Sequence, residues 1–213
     1  MEMSYIELNH ISKTIKSKPI LSDIHLNLEK GHIYGIIGSN GSGKSMLFRA
    51  ICGFMKLDQG EVKINGQQVK FGEELPVSTG LILETPGFIL HQTALENLRY
   101  LAEMDNAYNE DLIFQELKYF GLYEHRNDKV KNYSLGMKQK LAIIQAIMED
   151  QELLLLDEPT NALDKESIER FQSKMLQLKE KGKTLLIATH DDRTLQGITN
   201  ELIELSQGKI VKK

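Results

Sequence analysis

The most informative part of the sequence is the glycine-rich stretch Gly38-Ser39-Asn40-Gly41-Ser42-Gly43-Lys44-Ser45. It follows the apolar run Ile33–Ile37, which is typical of a buried strand. It precedes Met46–Ile51, whose pattern is typical of a helix. The spacing matches G-x-x-x-x-G-K-S/T in full, in the strand–loop–helix context that this motif requires. A glycine-rich turn that matches by chance is disfavoured by both flanks, so we predict a phosphate-binding loop.

Each part of this loop has a physical reason. Glycines let the backbone wrap closely around phosphate oxygens, and the start of the following helix adds N–H groups and a positive dipole end. Lys44 is expected to neutralise the β- and γ-phosphates, and Ser45 to offer its hydroxyl to Mg²⁺. The sequence therefore predicts that the whole loop holds ATP together with Mg²⁺.

A second candidate element is the acidic end of an apolar run. Leu153–Leu156 indicates a buried strand, and Asp157 and Glu158 follow it directly. Open α/β sheets bind ligands at the carboxyl ends of their strands, so both carboxylates are expected at that edge. Asp157 is expected to hold Mg²⁺, and Glu158 to act as general base on the attacking water. An acidic surface turn is the alternative, and the phosphate-binding loop argues against it.

The remaining periodicity predicts an α/β fold. Strand patterns open the chain, and Asn65-Gly66 between apolar alternations indicates a hairpin. From about residue 93 to residue 148 the apolar spacing is helical, beginning at the capping-box pair Thr93 and Glu96. We predict one domain over residues 1–213: a P-loop NTPase core with a mainly parallel sheet, an N-terminal antiparallel β subdomain and an inserted helical subdomain.

Composition argues against several classes of protein. The 213 residues include 30 acidic and 26 basic side chains, for a net charge of -4, which is unlike a nucleic-acid-binding surface. No apolar run is long enough to cross a bilayer and the start is unlike a signal peptide, so a cytoplasmic chain is expected. The single cysteine, Cys52, is expected to be a buried structural thiol rather than a nucleophile.

Three further motifs follow in order along the chain. Tyr133–Met137 reads Tyr-Ser-Leu-Gly-Met, Asn161–Asp164 follows the acidic strand end, and His190 follows the apolar run Leu185–Ala188. With the two nucleotide motifs, they make essentially the whole chain resemble the ATP-binding subunits of ABC transporters. By that resemblance, Tyr133–Met137 is the family signature, Asn161–Asp164 is the D-loop and His190 is the switch histidine, which implies a γ-phosphate contact.

These motifs also have purely structural interpretations. Ser134 and Asp164 would each cap the helix that follows, and a lone histidine is more often structural than catalytic. A helix start with a capping serine and Gly136 is, however, also what a γ-phosphate requires, because backbone N–H groups are available there.

The resemblance implies a second subunit and a membrane partner. Two such subunits would close head to tail around two ATP molecules, with Gly38–Ser45 of one facing Ser134 and Gly136 of the other. Both halves of the composite site are present, so two identical copies could build two competent sites, and both a homodimer and a heterodimer are compatible with the sequence. A membrane-spanning permease would convert closure into transport and hold the chain at the inner face of the cell membrane. No nucleic-acid partner is expected.

Several positions depart from the family pattern. Glu84 stands where a glutamine is usual; a carboxylate can contact Mg²⁺ or water but cannot donate as an amide does, so Glu84 is a candidate catalytic and metal-binding residue. Tyr133, Leu135 and Met137 replace the usual Leu, Gly and Gln. Both variations resemble the subgroup associated with bacitracin and lantibiotic export or self-protection, which implies peptide antibiotics as cargo.

The position that would contact the base also departs from the family. Ile15 stands where many relatives stack an aromatic residue on the adenine. Weaker stacking and a looser preference for ATP over GTP are therefore expected.

Two other functions are compatible with part of this pattern. A non-transport ABC ATPase acting on nucleic acid or ribosomes generally carries two ATPase units or long coiled-coil arms, and this sequence has neither. The signature motif and His190 argue against a P-loop kinase that phosphorylates a small molecule. We therefore expect a transporter ATPase.

Overall fold

The computed structural model describes residues 4–83, 87–104 and 109–212. The strands of this part of the chain are β1 Ile6–Ile15, β2 Lys18–Leu28, β3 Ile33–Ile37, β4 Gln59–Ile64, β5 Gln67–Gln68, β6 Thr79–Ile82, β7 Leu153–Asp157, β8 Thr184–Thr189, β9 Glu201–Ser206 and β10 Lys209–Lys212. The α-helices are α1 Lys44–Ile51, α2 Ala94–Met104, α3 Glu110–Tyr119, α4 Leu135–Ile147, α5 Lys165–Glu180 and α6 Asp192–Leu195. Short 3₁₀ helices span Tyr123–His125 and Val130–Asn132.

The strands form two sheets. The antiparallel sheet has the order β2-β1-β4-β5, and its β4–β5 hairpin turns at Asn65-Gly66, as the sequence predicts. The larger sheet has the order β10-β9-β3-β8-β7-β6. Its pairings from β6 to β9 are parallel, and β10 is antiparallel to β9. The predicted α/β class, with a mainly parallel sheet and an antiparallel β unit, is confirmed.

The parallel sheet has a hydrophobic cluster on each face. Along β7, Leu153 and Leu155 belong to the cluster that includes α1 and the antiparallel sheet, whereas Leu154 and Leu156 belong to the cluster that includes α4 and α5. Successive side chains of a strand point to opposite faces, so a strand buried on both faces must be continuously apolar. This explains the unbroken leucine run before the acidic pair.

Helices α2, α3 and α4 lie between β6 and β7 in the chain. The capping box before α2 is present: the Glu96 carboxylate accepts from the Thr93 N–H at 2.6 Å, and the Thr93 hydroxyl accepts from the Glu96 N–H at 3.1 Å. Helix α4 packs closely on β6, where a side chain at Gly80 would overlap the carbonyl oxygen of Ala146. This close packing fixes the helix that carries the signature motif against the sheet.

The C-terminal hairpin is absent from the predicted elements. Strands β9 and β10 turn at Gln207 and Gly208, both with positive φ, and Ile203 and Leu205 alternate with more exposed residues along β9. Two positive-φ residues between alternating segments are the usual signal of a hairpin. In the sequence only Gly208 marks this turn, because Gln-Gly is not one of the pairs typical of hairpins, and the segment is short and weakly apolar.

Candidate active site

The predicted site elements meet at one edge of the parallel sheet. Asp157 of β7 is level with Ala188 of β8, and Ala188 is level with Ile36 of β3. The glycine-rich loop follows β3, Glu158 follows Asp157 at the end of β7, and His190 follows β8. Because the strands are parallel and in register, these segments all begin at the same, carboxyl edge of the sheet.

The loop takes a backbone conformation that requires glycine. Gly41 and Gly43 have φ values of 79° and 112°, in a region that side-chain-bearing residues rarely adopt. At Gly38, a Cβ atom would overlap the carbonyl oxygen of Leu205 on the neighbouring strand. Gly43 is the N-cap of α1, so the helix starts directly from the loop with its N-terminal N–H groups toward the site. This is the geometry of an anion-binding loop.

Lys44 is buried and its charge is held by the loop itself. Its side chain is 6% exposed, and Nζ donates to the carbonyl oxygens of Gly38 at 2.8 Å and Ser39 at 3.4 Å. The Oε1 atom of Glu158 lies 3.8 Å from Nζ. A buried ammonium group requires such partners, because its loss of hydration is otherwise uncompensated. The contacts bring the two main predicted site elements together within one chain.

The Glu158 carboxylate is held in place by three side chains. Besides Lys44, the Nδ1 atom of His190 lies 2.8 Å from Oε1, and the Thr189 hydroxyl donates to Oε2 at 3.2 Å. The Glu158 side chain is 21% exposed and that of His190 is 51% exposed, so the pair lies at the surface of the edge. Thr189 is a site residue that sequence analysis missed, because its neighbour His190 carries the recognisable motif.

The backbone of Glu158 is also unusual. Its φ of 49° is left-handed, which costs roughly 1–2 kcal/mol for a residue with a side chain. Its N–H donates to the Ala188 carbonyl at 2.8 Å, so the chain turns sharply after β7 while staying joined to β8. Strain of this kind persists only where neighbouring contacts hold it.

Ser45 and Asp157, the two described residues predicted to bind a metal ion, both carry side-chain oxygen atoms. Asp157 ends β7 and is 6% exposed, whereas Ser45 is half-buried in the first turn of α1, which packs against β7. Hydroxyl and carboxylate oxygens fit Mg²⁺, which commonly takes one or two protein ligands together with phosphates and water. Glu84, the other residue predicted to contact the metal, lies outside the described residues.

The signature residues lie at the start of α4. Ser134 is the N-cap, and its hydroxyl accepts from the Met137 N–H at 3.2 Å. Gly136 packs against the 158–162 turn, since a Cβ there would lie 2.9 Å from the Ala162 carbonyl oxygen. Leu135 is 68% exposed. The capping interpretation of Ser134 is therefore confirmed, and its contact with a nucleotide stays a prediction.

Asp164 has a capping role as well. It is the N-cap of α5, and its carboxylate accepts from the Ser167 N–H at 2.8 Å. Hydrogen bonds from the Ser167 side chain and backbone hold the pKa of the Asp164 carboxyl below its ordinary value. The structure thus gives this D-loop residue a structural function, independent of any second subunit.

The structure also shows the positions of Ile15 and Cys52, for which the sequence predicts a base contact and a buried thiol. Ile15 ends β1 and is 40% exposed, beside the tight turn at Lys16 and Ser17. Cys52 is fully buried, and burial raises the pKa of its thiol to about 12. The thiol stays protonated and inaccessible, which confirms a structural cysteine and not a nucleophile.

Fold and site together define a P-loop nucleotide-binding protein. Residues 21–161 match the ABC transporter family, and the chain belongs to that family. An uncharacterized ABC transporter ATP-binding protein of Bacillus subtilis, YybJ, is 37% identical over 205 residues, covering 96% of this chain and 94% of that protein. The bacitracin transport ATP-binding protein BcrA of Enterococcus faecalis is 33% identical over 216 residues, covering 100% of this chain and 70% of that protein.

Solved structures agree with this assignment. A dimeric ATP-binding cassette in a post-hydrolysis state, bound to ADP and Pi, superposes with a TM-score of 0.89 at 26% identity, covering 97% of each chain. The chain is an ATP-hydrolysing, ATP-binding subunit of an ABC transporter. The relatives support this expectation and not the alternative of an ATPase acting on nucleic acid or ribosomes. Among the described residues, no helix has the length and apolarity to cross a membrane.

Proposed function

We propose that this chain binds Mg-ATP on the Gly38–Ser45 loop and hydrolyses it with Glu158 as general base, to power a separate permease. One observation carries the catalytic part. The Glu158 carboxylate lies between the ammonium group of Lys44 and the ring of His190, at 3.8 Å and 2.8 Å. A base fixed beside the phosphate-binding lysine is within reach of a water molecule that attacks the γ-phosphate.

The surrounding residues have separate tasks in this proposal. Lys44 exchanges its loop carbonyl partners for β- and γ-phosphate oxygens, and the loop N–H groups hold the phosphates in line. His190 contacts the γ-phosphate through its exposed edge, while Thr189 keeps the second carboxylate oxygen of Glu158 from rotating. Glu158 then orients the water and accepts its proton as the water oxygen bonds to the γ-phosphorus. The bond from that phosphorus to the bridging oxygen breaks in the same step, which releases ADP and phosphate.

Two oxygen ligands would hold the metal ion. The Ser45 hydroxyl and the Asp157 carboxylate supply them, and Glu84 is proposed as a further contact to the metal or to the water, from the sequence alone. Bound Mg²⁺ would offset negative charge on the phosphate oxygens.

The site is proposed to be completed by a second ATP-binding subunit, identical or different. Its Ser134 and Gly136 would bring the start of α4 to the γ-phosphate, where helix N–H groups stabilise negative charge. The exposure of Leu135 beside them and the similarity to a dimeric cassette support this arrangement. Loss of the γ-phosphate would remove contacts made by both subunits and reopen the pair.

A permease partner and peptide cargo complete the proposal. The chain would lie at the inner face of the cell membrane because it is bound to a membrane-spanning subunit. Similarity to the bacitracin transport protein BcrA over the full chain supports export of peptide antibiotics. The departures from the family pattern at Glu84 and in the signature motif also support export of peptide antibiotics.

The adenine base of the nucleotide is proposed to rest against Ile15 by aliphatic contact. Base–aromatic stacking is worth roughly 1–3 kcal/mol, and isoleucine cannot supply it. We expect the wild-type chain to turn over ATP and GTP with similar kcat/KM, and Ile15→Tyr to tighten binding of both nucleotides by roughly fivefold or more. Steady-state kinetics with each nucleotide measures this. Strong discrimination against GTP by the wild-type chain would contradict the proposed contact between Ile15 and the base.

The catalytic role is tested by Glu158→Gln. The amide keeps the shape of the side chain but cannot accept the proton from water, so kcat should fall by roughly 10²–10⁴-fold with nucleotide binding preserved. Phosphate release and binding of a fluorescent ATP analogue measure the two effects. The matched control is Glu166→Gln, which removes an exposed carboxylate paired with Arg170 and should leave both unchanged. Turnover at the wild-type rate in Glu158→Gln would remove Glu158 from its role.

The two roles of Ser134 are separated by Ser134→Asp. Aspartate caps a helix about as well as serine, so the free energy of unfolding should change by only a few tenths of a kcal/mol. Its carboxylate would repel the γ-phosphate of the second subunit, so hydrolysis and ATP-dependent dimerisation should be lost. Asn109→Asp adds the same charge at the N-cap of α3 and should leave both intact. Full activity in Ser134→Asp, with stability unchanged, would limit Ser134 to capping.

A further inference from the structure

Gln139 is a buried polar residue in the helix that carries the signature. It lies on α4, is 9% exposed, and its Nε2 group donates to the Pro159 carbonyl at 2.8 Å and to the Glu158 carbonyl at 3.4 Å. Its neighbours on the helix include the fully buried Leu141 and Ile143. Burying an amide among apolar side chains is unfavourable unless it is hydrogen-bonded. Here both contacts go to successive carbonyls of the catalytic turn.

These carbonyls belong to the segment that sets the direction of the Glu158 side chain. Glu158 has the left-handed backbone described above, and its carbonyl also accepts from the Asn161 N–H at 3.3 Å. On the other side, the hydroxyl groups of Thr160 and Thr194 are hydrogen-bonded to each other in the interior. A rotation of the peptide after Glu158 would move its carboxylate relative to Lys44. The Gln139 amide restrains that peptide from the side of α4.

Helix α4 contacts the same turn at a second point. Gly136 lies against the Ala162 carbonyl so closely that a side chain would have to displace it, and Ala162 itself has a positive φ of 64°. The two contacts are three residues apart on α4, so they lie on one face of the helix. The start of α4 and the turn that carries Glu158 are therefore joined as one unit.

We infer that Gln139 is a positioning residue: its amide holds the Glu158–Pro159 backbone so that the Glu158 carboxylate faces the phosphate-binding loop. The inference rests on the proposed roles of Glu158 and of the α4 N-terminus. Gln139 adds a direct link between Glu158 and the N-terminus of α4. The helix that meets the nucleotide of the second subunit is the helix that holds the catalytic base of its own site.

The test is Gln139→Leu, which keeps a similar volume and helix propensity but removes both donors. We expect kcat to fall on the order of 10- to 100-fold, as for other small displacements of a catalytic group, with nucleotide affinity unchanged. Gln145→Leu on the same helix, at a partly exposed position, is the matched control and should hydrolyse ATP at the wild-type rate. Wild-type kcat in Gln139→Leu beside an inactive Glu158→Gln would overturn the inference and leave the proposed function standing.

A double-mutant cycle distinguishes positioning from a general loss of structure. Single-turnover hydrolysis is measured for Glu158→Gln with and without Gln139→Leu. If Gln139 acts through Glu158, the second substitution adds no further loss. Multiplied losses would mean that it acts elsewhere, and would contradict the inference. Wild-type turnover in Glu158→Gln alone is a different result, because it contradicts the proposed function itself.

Gln139→Glu gives an independent readout through pH. The ionised carboxyl accepts hydrogen bonds only, so it repels the two carbonyls, whereas the protonated form regains one donor. The ratio of variant to wild-type kcat should therefore rise as pH falls through the pKa of the introduced group. A ratio that does not change with pH would overturn the inference.

Discussion

The ammonium group of Lys44 is buried between the carbonyls of its own loop and the Glu158 carboxylate, and much of the site depends on this arrangement. A buried charge is tolerated only where partners surround it. The loop supplies carbonyls because its glycines allow positive φ. Glu158 supplies the carboxylate because it directly follows β7, which ends level with β8 and β3. Nucleotide phosphates are proposed to take over the same charge.

Residues that are adjacent in sequence could be predicted, and residues joined only by folding could not. The phosphate-binding loop, β3, and the acidic end of β7 are local patterns with a physical reason for every position. Thr189 and Gln139 belong to the site because they lie against Glu158, 31 and 19 residues away in the chain. No periodicity or motif encodes those contacts. The β9–β10 hairpin could not be predicted for a different reason, because its strands are short and its Gln-Gly turn is not a typical hairpin pair.

Several residues combine a structural role with a proposed functional one. Ser134 and Asp164 cap helices, which accounts for their presence without any nucleotide. Capping also fixes the helix starts that would meet a second subunit, so the two roles support each other. Gly136 and Gln139 also combine a structural contact with a proposed functional role, because both contact the turn after β7 from α4. An ATP-driven change at the start of α4 would therefore reach Glu158 through short contacts.

Each catalytic site is proposed to be shared between two subunits, with Glu158 from one and Ser134 from the other. Mixing Glu158→Gln with Ser134→Asp before ATP is added tests it most directly. Random pairing places one intact composite site in each mixed dimer, so the mixture should recover roughly a quarter of wild-type turnover from two inactive variants. Activity no higher than that of the separate variants, with mixed dimers verified by differential tags, would show that the site is not shared in this way.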